Sequence, residues 1–121
     1  MINKKSEIII FGGAGYIGST VTDFFLRKNF SVKCVDNLIY NQKKPSKKKN
    51  FLFYKLDISK TNQIKKLLNE KSIVILLAGL VGDPITKKYP KLSKKINENY
   101  TTKLIDQCFK KKVDHLVFVS T

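Results

Sequence analysis

The apolar residues of this chain fall into short continuous runs, and helical periodicity appears between them. Runs such as residues 8–11 and 73–77 are typical of strands that are buried on both faces of a parallel sheet. After the first run, Ile17, Val21 and Phe24 recur at helical spacing, and Asn29 is a residue that tolerates the left-handed conformation of a helix end. A second apolar run follows at once. The pattern therefore predicts strand, helix, strand at the start of the chain.

The same alternation continues to the end of the sequence. A short helix is expected around Ile64, Leu67 and Leu68, and a longer one from Lys91 to Cys108 or Phe109. Strands and helices that alternate in this way imply an α/β fold with right-handed crossovers, a doubly wound parallel sheet in the order 3-2-1-4-5. We expect residues 1–121 to form one domain. The five predicted strands are residues 8–11, 31–35, 51–54, 73–77 and 115–119.

Three glycines spaced three apart, Gly12, Gly15 and Gly18, follow the first strand directly. In a dinucleotide-binding turn the first glycine makes the tight turn, the second lets a pyrophosphate approach the backbone, and the third allows close packing of the helix. The unpaired N–H groups at the start of that helix would receive the phosphates. Turns also collect glycine for local reasons, so the spacing alone does not establish a dinucleotide site.

An acidic residue, Asp36, ends the second strand eighteen positions after Gly18. At this place a carboxylate would accept hydrogen bonds from the adenosine ribose and repel a 2′-phosphate. The next residue is the neutral Asn37 rather than an arginine. The pair therefore favours NAD over NADP. The alternative is an ordinary aspartate that opens a turn after a strand.

The chain is strongly basic, with a formal net charge of +15, and its lysines cluster in residues 43–49 and 110–112. Such clusters suggest nucleic-acid binding. However, Arg27 is the only arginine, whereas base reading and bidentate phosphate contacts usually rely on arginine. A solvated basic surface is the favoured interpretation, and specific nucleic-acid binding is not expected.

Neither cysteine shows a pattern typical of metal binding or redox chemistry. Cys34 lies in a predicted strand and Cys108 in a predicted helix, without CxxC spacing or a histidine partner, which indicates buried free thiols and no metal site. The sequence shows no secretory signal pattern, and the longest apolar run, residues 73–81, is too short to cross a bilayer. We expect a cytoplasmic protein without a membrane segment.

Five motifs in the expected order resemble those of the NAD-dependent epimerase/dehydratase family, the extended short-chain dehydrogenases that act on nucleotide sugars. They occupy residues 12–18, 35–37, 56–58, 77–80 and 118–121, and so cover essentially the whole chain. The resemblance implies a Rossmann-like domain that binds NAD.

The resemblance also assigns roles to individual residues. The pyrophosphate would contact the turn from Gly12 to Gly18, the adenosine would lie near the ends of the second and third strands, and the nicotinamide near the ends of the fourth and fifth. Thr121 would be the residue that hydrogen-bonds the substrate, although it is equally explained as a strand terminus. The implied cofactor-binding residues are Gly12, Gly15, Tyr16, Ile17, Gly18, Asp36, Asn37, Asp57, Ile58, Ala78, Gly79, Leu80 and Ser120.

The family's catalytic tyrosine and lysine lie on a later helix, and would come after residue 121 together with the substrate-binding domain. General acid–base catalysis typically increases the rate by a factor of ~10²–10⁴. We therefore expect this incomplete domain not to convert substrate on its own. A nucleotide sugar would bind only when the remaining part is supplied, and homo-oligomerisation is left open. The leading hypothesis is the NAD-binding portion of a nucleotide-sugar epimerase or dehydratase. The alternatives are a non-catalytic NAD sensor and, third, a lysine-rich nucleic-acid-binding protein.

Overall fold

The predicted doubly wound sheet is present in the computed structural model, which describes residues 5–38, 43–77, 88 and 90–119. Within these residues, five parallel strands pair in the order β3-β2-β1-β4-β5. The chain leaves β1 toward one edge of the sheet, then returns and continues toward the other edge, as predicted. The strands are β1 (Glu7–Phe11), β2 (Ser31–Asp36), β3 (Phe51–Lys55), β4 (Ser72–Leu76) and β5 (His115–Phe118).

The first helix ends where its sequence favours a stop. Asn29, just beyond it, adopts a left-handed conformation with φ of 65°, and the N–H of Phe30 returns to the carbonyl of Phe25 at 3.1 Å. An asparagine tolerates this conformation better than most residues. The helical segments are α1 (Tyr16–Arg27), α2 (Thr61–Lys65), α3 (Pro90–Lys94), a π-helical segment (Lys95–Tyr100) and α4 (Thr101–Lys110).

The long helix expected from Lys91 onward is interrupted by the π-helical segment between α3 and α4. Its apolar positions in the sequence recur at every fourth residue from Leu92 to Cys108, a step longer than the ~3.6 residues of an α-helical turn. A π turn holds more residues than an α turn, because its hydrogen bonds run from i to i+5. In an unbroken α-helix, a spacing of four residues would rotate the apolar positions progressively around the helix. The π-helical segment reduces this rotation.

The core lies in two layers, one on each face of the sheet. Alternate residues of β1 point to opposite faces, as the two-residue period of a strand requires. Ile8 and Ile10 join the layer under α1, whereas Ile9 and Phe11 join the layer that contains Ile64 and residues of α4. These four side chains are fully buried, and every residue of β4 is buried as well. The apolar runs at residues 8–11 and 73–77 thus mark strands that are covered on both faces, as expected.

The buried residue of α4 at the end of its apolar face is Cys108, at 1% exposed, whereas Phe109 is 75% exposed. This settles which of the two residues faces the core. On β5, Val117 and Phe118 remain about half exposed, as does Val119 just after it. The sheet is therefore best covered at its centre, around β1 and β4.

Candidate functional site

The turn between β1 and α1 depends on glycine at its first position. Gly12 has φ of 86°, a conformation that residues with a side chain rarely adopt. Its N–H donates to the carbonyl of Val35 in β2 at 2.7 Å, and its own carbonyl accepts the N–H of Gly15 at 3.3 Å. The turn is thus closed on itself and attached to the neighbouring strand.

The third glycine of the motif allows the helix to approach the turn closely. A Cβ atom on Gly18 would overlap the carbonyl oxygen of Gly12 and lie 2.6 Å from the Cα atom of Gly13. At Gly15, in contrast, the nearest atom to such a Cβ is the Gly12 oxygen at 3.4 Å, an ordinary contact distance. Gly18 is therefore required by the fold itself, whereas Gly15 borders free space.

The start of α1 presents backbone donors toward that space. The first N–H with an intrahelical acceptor is that of Ser19, which donates to Gly15 at 2.9 Å. The three preceding N–H groups, from Tyr16 to Gly18, precede the first intrahelical bond, as at any helix start. The first turn contains no acidic residue. Tyr16 is 93% exposed and Ile17 58%, so this end of the helix is accessible and carries the positive end of the helix dipole.

Asp36 lies directly beside the glycine turn, although 22 residues separate it from Ala14. Its Oδ2 accepts the backbone N–H of Ala14 at 3.0 Å, and its Oδ1 accepts the N–H of Leu38 at 2.8 Å. The side chain is buried. The structure therefore brings together the acidic residue and the glycine motif that the sequence places in separate segments.

The residues expected after β2 and β3 also meet. The amide nitrogen of Asn37 donates to Oδ2 of Asp57 at 3.5 Å, and Oδ1 of Asp57 accepts the N–H of Ser59 at 2.9 Å. Ile58 is 6% exposed and its side chain belongs to the core layer that contains Phe11. What this position can offer a ligand is therefore mainly its backbone and the neighbouring carboxylate of Asp57.

The remaining expected site residues, namely Ala78, Gly79, Leu80, Ser120 and Thr121, lie outside the described residues. The described end of β4 nevertheless runs beside the glycine turn, because the N–H of Leu77 donates to the carbonyl of Phe11 at 2.8 Å. The N–H of Val119 after β5 donates to Leu76 at 3.4 Å. The chain thus leaves β4 next to the carboxyl end of β1, where the crevice of a doubly wound sheet is found.

One residue of this region, Cys34, was not predicted from the sequence as part of the site. Cys34 is fully buried in β2 behind the turn, and its Sγ atom lies 2.5 Å from where a Cβ on Gly13 would be. Burial raises the pKa of this thiol to about 12, with a further rise from the charge of Asp36 and an opposing effect of the Gly13 N–H hydrogen bond. Cys34 lies two residues before Asp36, so the two side chains share one face of the strand. This spacing could have indicated that Cys34 also lies near the turn.

The lysine-rich segment is exposed as predicted, since residues 43–44 and 46–50 are all exposed. Its described contacts are local: Nζ of Lys48 lies 3.0 Å from Asp23, and Nζ of Lys44 lies 5.9 Å from the ring centre of Phe53. Cys34 and Cys108 are both buried and free, as expected. Within the described part of the chain, no three candidate metal ligands group together, and no helix has the length and apolar character needed to cross a membrane.

A sequence model of the NAD dependent epimerase/dehydratase family matches residues 8–121, which is nearly the whole chain. This chain belongs to that family. The resemblance inferred from the five motifs is therefore confirmed.

Solved structures of similar fold include UDP-sugar 4-epimerases. The UDP-glucose 4-epimerase of Thermotoga maritima, solved with UDP-glucose, is 30% identical, with a TM-score of 0.84 over 95% of this chain and 38% of that one. The UDP-Glc/GlcNAc 4-epimerase of Campylobacter jejuni is 28% identical, with a TM-score of 0.78 over 93% and 36%. The Thermus thermophilus UDP-glucose 4-epimerase, solved with NAD, shares the fold at 24% identity and a TM-score of 0.83, over 95% and 37%. This chain thus spans less than two fifths of each of these relatives.

Proposed function

We propose that this chain is the NAD-binding portion of a nucleotide-sugar epimerase or dehydratase, with residues 1–121 as an N-terminal Rossmann domain. The observation that carries the proposal is the hydrogen bond from Ala14 to Asp36, which joins the glycine turn to the carboxylate at the end of β2. A dinucleotide needs its diphosphate and its adenosine ribose to be received side by side. The bond places the two required elements in contact.

The donor chemistry around α1 fits a diphosphate. The N–H groups of Tyr16, Ile17 and Gly18 supply hydrogen bonds at the positive end of the helix dipole, and no acidic side chain in the first turn opposes them. The space beside Gly15, which its missing Cβ leaves open, allows an anion to reach the backbone. Gly12 and Gly18 shape this turn and support the diphosphate indirectly.

The adenosine would lie across the ends of β2 and β3. Both carboxylate oxygens of Asp36 accept backbone bonds, and a carboxylate offers about four lone-pair sites in all. Asp36 can therefore hold the turn and also accept the ribose hydroxyls. Its negative charge disfavours a 2′-phosphate, which supports NAD rather than NADP. Asn37, Asp57 and the backbone at Ile58 would border the adenine.

We assign the nicotinamide end to the loops after β4 and β5, through Ala78, Gly79, Leu80 and Ser120, with Thr121 toward the substrate. When bound there, NAD supplies a hydride acceptor for oxidation of a sugar hydroxyl. The chain's own residues would orient the ring: small side chains at Ala78 and Gly79 let it approach the backbone, and Thr121 would hydrogen-bond the reacting hydroxyl or carbonyl.

The acid–base step requires the family's tyrosine and lysine, which the resemblance assigns to a helix after the fifth strand. Tyr40 and Lys44 have the same spacing but precede β3, so they are not that pair. We therefore expect the 121-residue chain to bind NAD without converting a sugar nucleotide. The relatives solved with or named for UDP-sugars suggest a UDP-sugar as the substrate class. Two buried free thiols suit a cytoplasmic location.

Calorimetric titration of the purified chain with NAD and NADP tests the proposal. We expect saturable binding of NAD, weaker binding of NADP, and a marked loss of NAD affinity in Asp36→Ala. Asp106→Ala is the matched control, because Asp106 is an exposed carboxylate paired with Lys110 on α4, away from the turn. A folded chain that does not bind NAD, or equal losses in the two variants, would contradict the proposal.

A further inference from the structure

Three consecutive residues of the glycine turn, Gly12 to Ala14, are held against three consecutive residues of β2. The N–H of Gly12 donates to the Val35 carbonyl at 2.7 Å, and that of Ala14 to Oδ2 of Asp36 at 3.0 Å. Between them, Gly13 packs against the sulfur of Cys34. The first contact uses the backbone of β2 and the other two use side chains, so the identity of residue 34 affects the attachment.

The contact between Cys34 and Gly13 is also a steric fit. Gly13 is buried, and a Cβ on it would meet Sγ of Cys34 at 2.5 Å, Cβ of Cys34 at 3.2 Å and the Ile10 carbonyl at 3.3 Å. The sulfur thus fills the space that the absent side chain of Gly13 leaves. Gly13 has no positive φ, so this contact rather than its backbone conformation explains why a glycine is needed there.

We propose that Cys34 is a positioning residue of the glycine turn: its sulfur supports Gly13 and fixes the conformation in which the turn receives the diphosphate of the dinucleotide. The proposal rests on the function proposed above. Without the sulfur, the space beside the buried Gly13 is left unfilled, and a cavity in a packed interior is costly. The turn would then gain conformational freedom that must be lost again when the diphosphate binds.

Three variants separate this role from simple packing. Cys34→Ala removes the atom that packs against Gly13, whereas Cys34→Ser keeps an atom at nearly the same place. Cys108→Ala is the control, because Cys108 is an equally buried thiol on α4. The measurements are the dissociation constant for NAD by calorimetry and the thermal midpoint of each variant.

For Cys34→Ala we expect NAD affinity to fall about fivefold, because a less supported turn must be ordered when the diphosphate binds, and we expect Cys34→Ser to recover most of that loss. Cys108→Ala should lower the thermal midpoint and leave NAD affinity unchanged. If Cys34→Ala and Cys108→Ala both lower the midpoint and both retain wild-type NAD affinity, Cys34 is only a packing residue and the proposal is wrong.

A stability cycle tests the contact even if the wild-type chain does not bind NAD, which would itself refute the proposed function. Gly13→Ala is introduced into the wild type and into Cys34→Ala, and the thermal midpoints are compared. We expect the midpoint to fall much less in the Cys34→Ala background, because the clash with Sγ is gone. Equal decreases in the two backgrounds would show that the sulfur does not support Gly13.

Discussion

The carboxylate of Asp36 accepts the backbone N–H of Ala14 at 3.0 Å and so joins the end of β2 to the turn that follows β1. The same side chain accepts the N–H of Leu38 at 2.8 Å through its other oxygen. One buried carboxylate therefore organises both the glycine turn and the start of the segment after β2. In the proposed function it also receives the adenosine ribose, so structural and binding roles coincide in this residue.

Replacing Asp36 by asparagine should change cofactor selectivity. Asp36→Asn keeps a side-chain oxygen for Ala14 but loses the negative charge and one strong acceptor. We expect NAD affinity to fall roughly tenfold to hundredfold, the usual range for hydrogen bonds to a charged group, and the preference for NAD over NADP to shrink. Calorimetry with both dinucleotides measures this. An unchanged ratio of the two affinities would show that the charge of Asp36 does not select the cofactor.

The glycines at positions 15 and 18 should respond differently to alanine. Gly18→Ala forces a Cβ into the backbone of Gly12 and Gly13, so the free energy of unfolding should fall by about 1–3 kcal/mol. Gly15→Ala meets only an ordinary contact at 3.4 Å and should change stability by less than about 1 kcal/mol. Denaturant titration of both variants measures these values.

Gly15→Ala should weaken NAD binding even though it changes stability little. Its methyl group would enter the space assigned to the diphosphate, and NAD affinity should fall roughly tenfold or more. A stable Gly15→Ala variant that keeps wild-type NAD affinity would mean that the diphosphate does not approach the turn at this residue.

Stability should fall in alkaline solution because of the buried thiols. The pKa of Cys34 is raised from 9.0 to about 12, so the unfolded chain loses this proton before the folded chain does. The thiol's contribution is fully present below about pH 9 and is lost as the pH rises toward 12, with a slope approaching ~1.4 kcal/mol per pH unit.

Cys34→Ser removes this titration, so its unfolding free energy should fall less steeply than that of the wild type between pH 9 and 10.5. Urea titrations at several pH values provide the comparison, and the lysines and tyrosines titrate in both proteins alike. Parallel curves for the two proteins would be inconsistent with a raised pKa at Cys34.

The lysines should produce attraction to nucleic acid without specificity. The net charge is +15, and residues 43–44 and 46–50 are exposed. Binding of a short DNA duplex, followed by fluorescence anisotropy, should be detectable near 50 mM salt and fall by about 10³-fold or more by 200 mM if six or more phosphates are contacted. Tight binding that depends on DNA sequence and persists at 200 mM salt would favour a nucleic-acid-binding function instead.

The sheet order and the approximate place of the site could be predicted from the sequence because their signals are local. A buried strand that runs into a glycine turn, and an acidic residue at the end of the next strand, each occupy a few consecutive positions. The left-handed conformation of Asn29 and the burial of Cys108 could likewise be predicted, from residue preference and from periodicity.

The remaining features depend on distances between segments. The bond between Ala14 and Asp36 and the contact between Gly13 and Cys34 exist only once β1 and β2 are paired. The π-helical segment from Lys95 to Tyr100 arises because the spacing of the apolar residues exceeds that of an α-helix, and this mismatch is visible only when the spacing is followed over several turns. The residue pattern of one short segment does not indicate such contacts or such long-range spacing.

The most direct test of the account is to follow the backbone amides of the ¹⁵N-labelled chain by NMR while NAD is added. We predict that the largest shifts occur at Gly15, Tyr16, Ile17 and Gly18, at the start of α1, and at residues 36–38 after β2. The lysine-rich residues 43–49 should be affected least. Shifts centred on those lysines, or no shifts at saturating NAD in a folded chain, would contradict a dinucleotide site at the glycine turn.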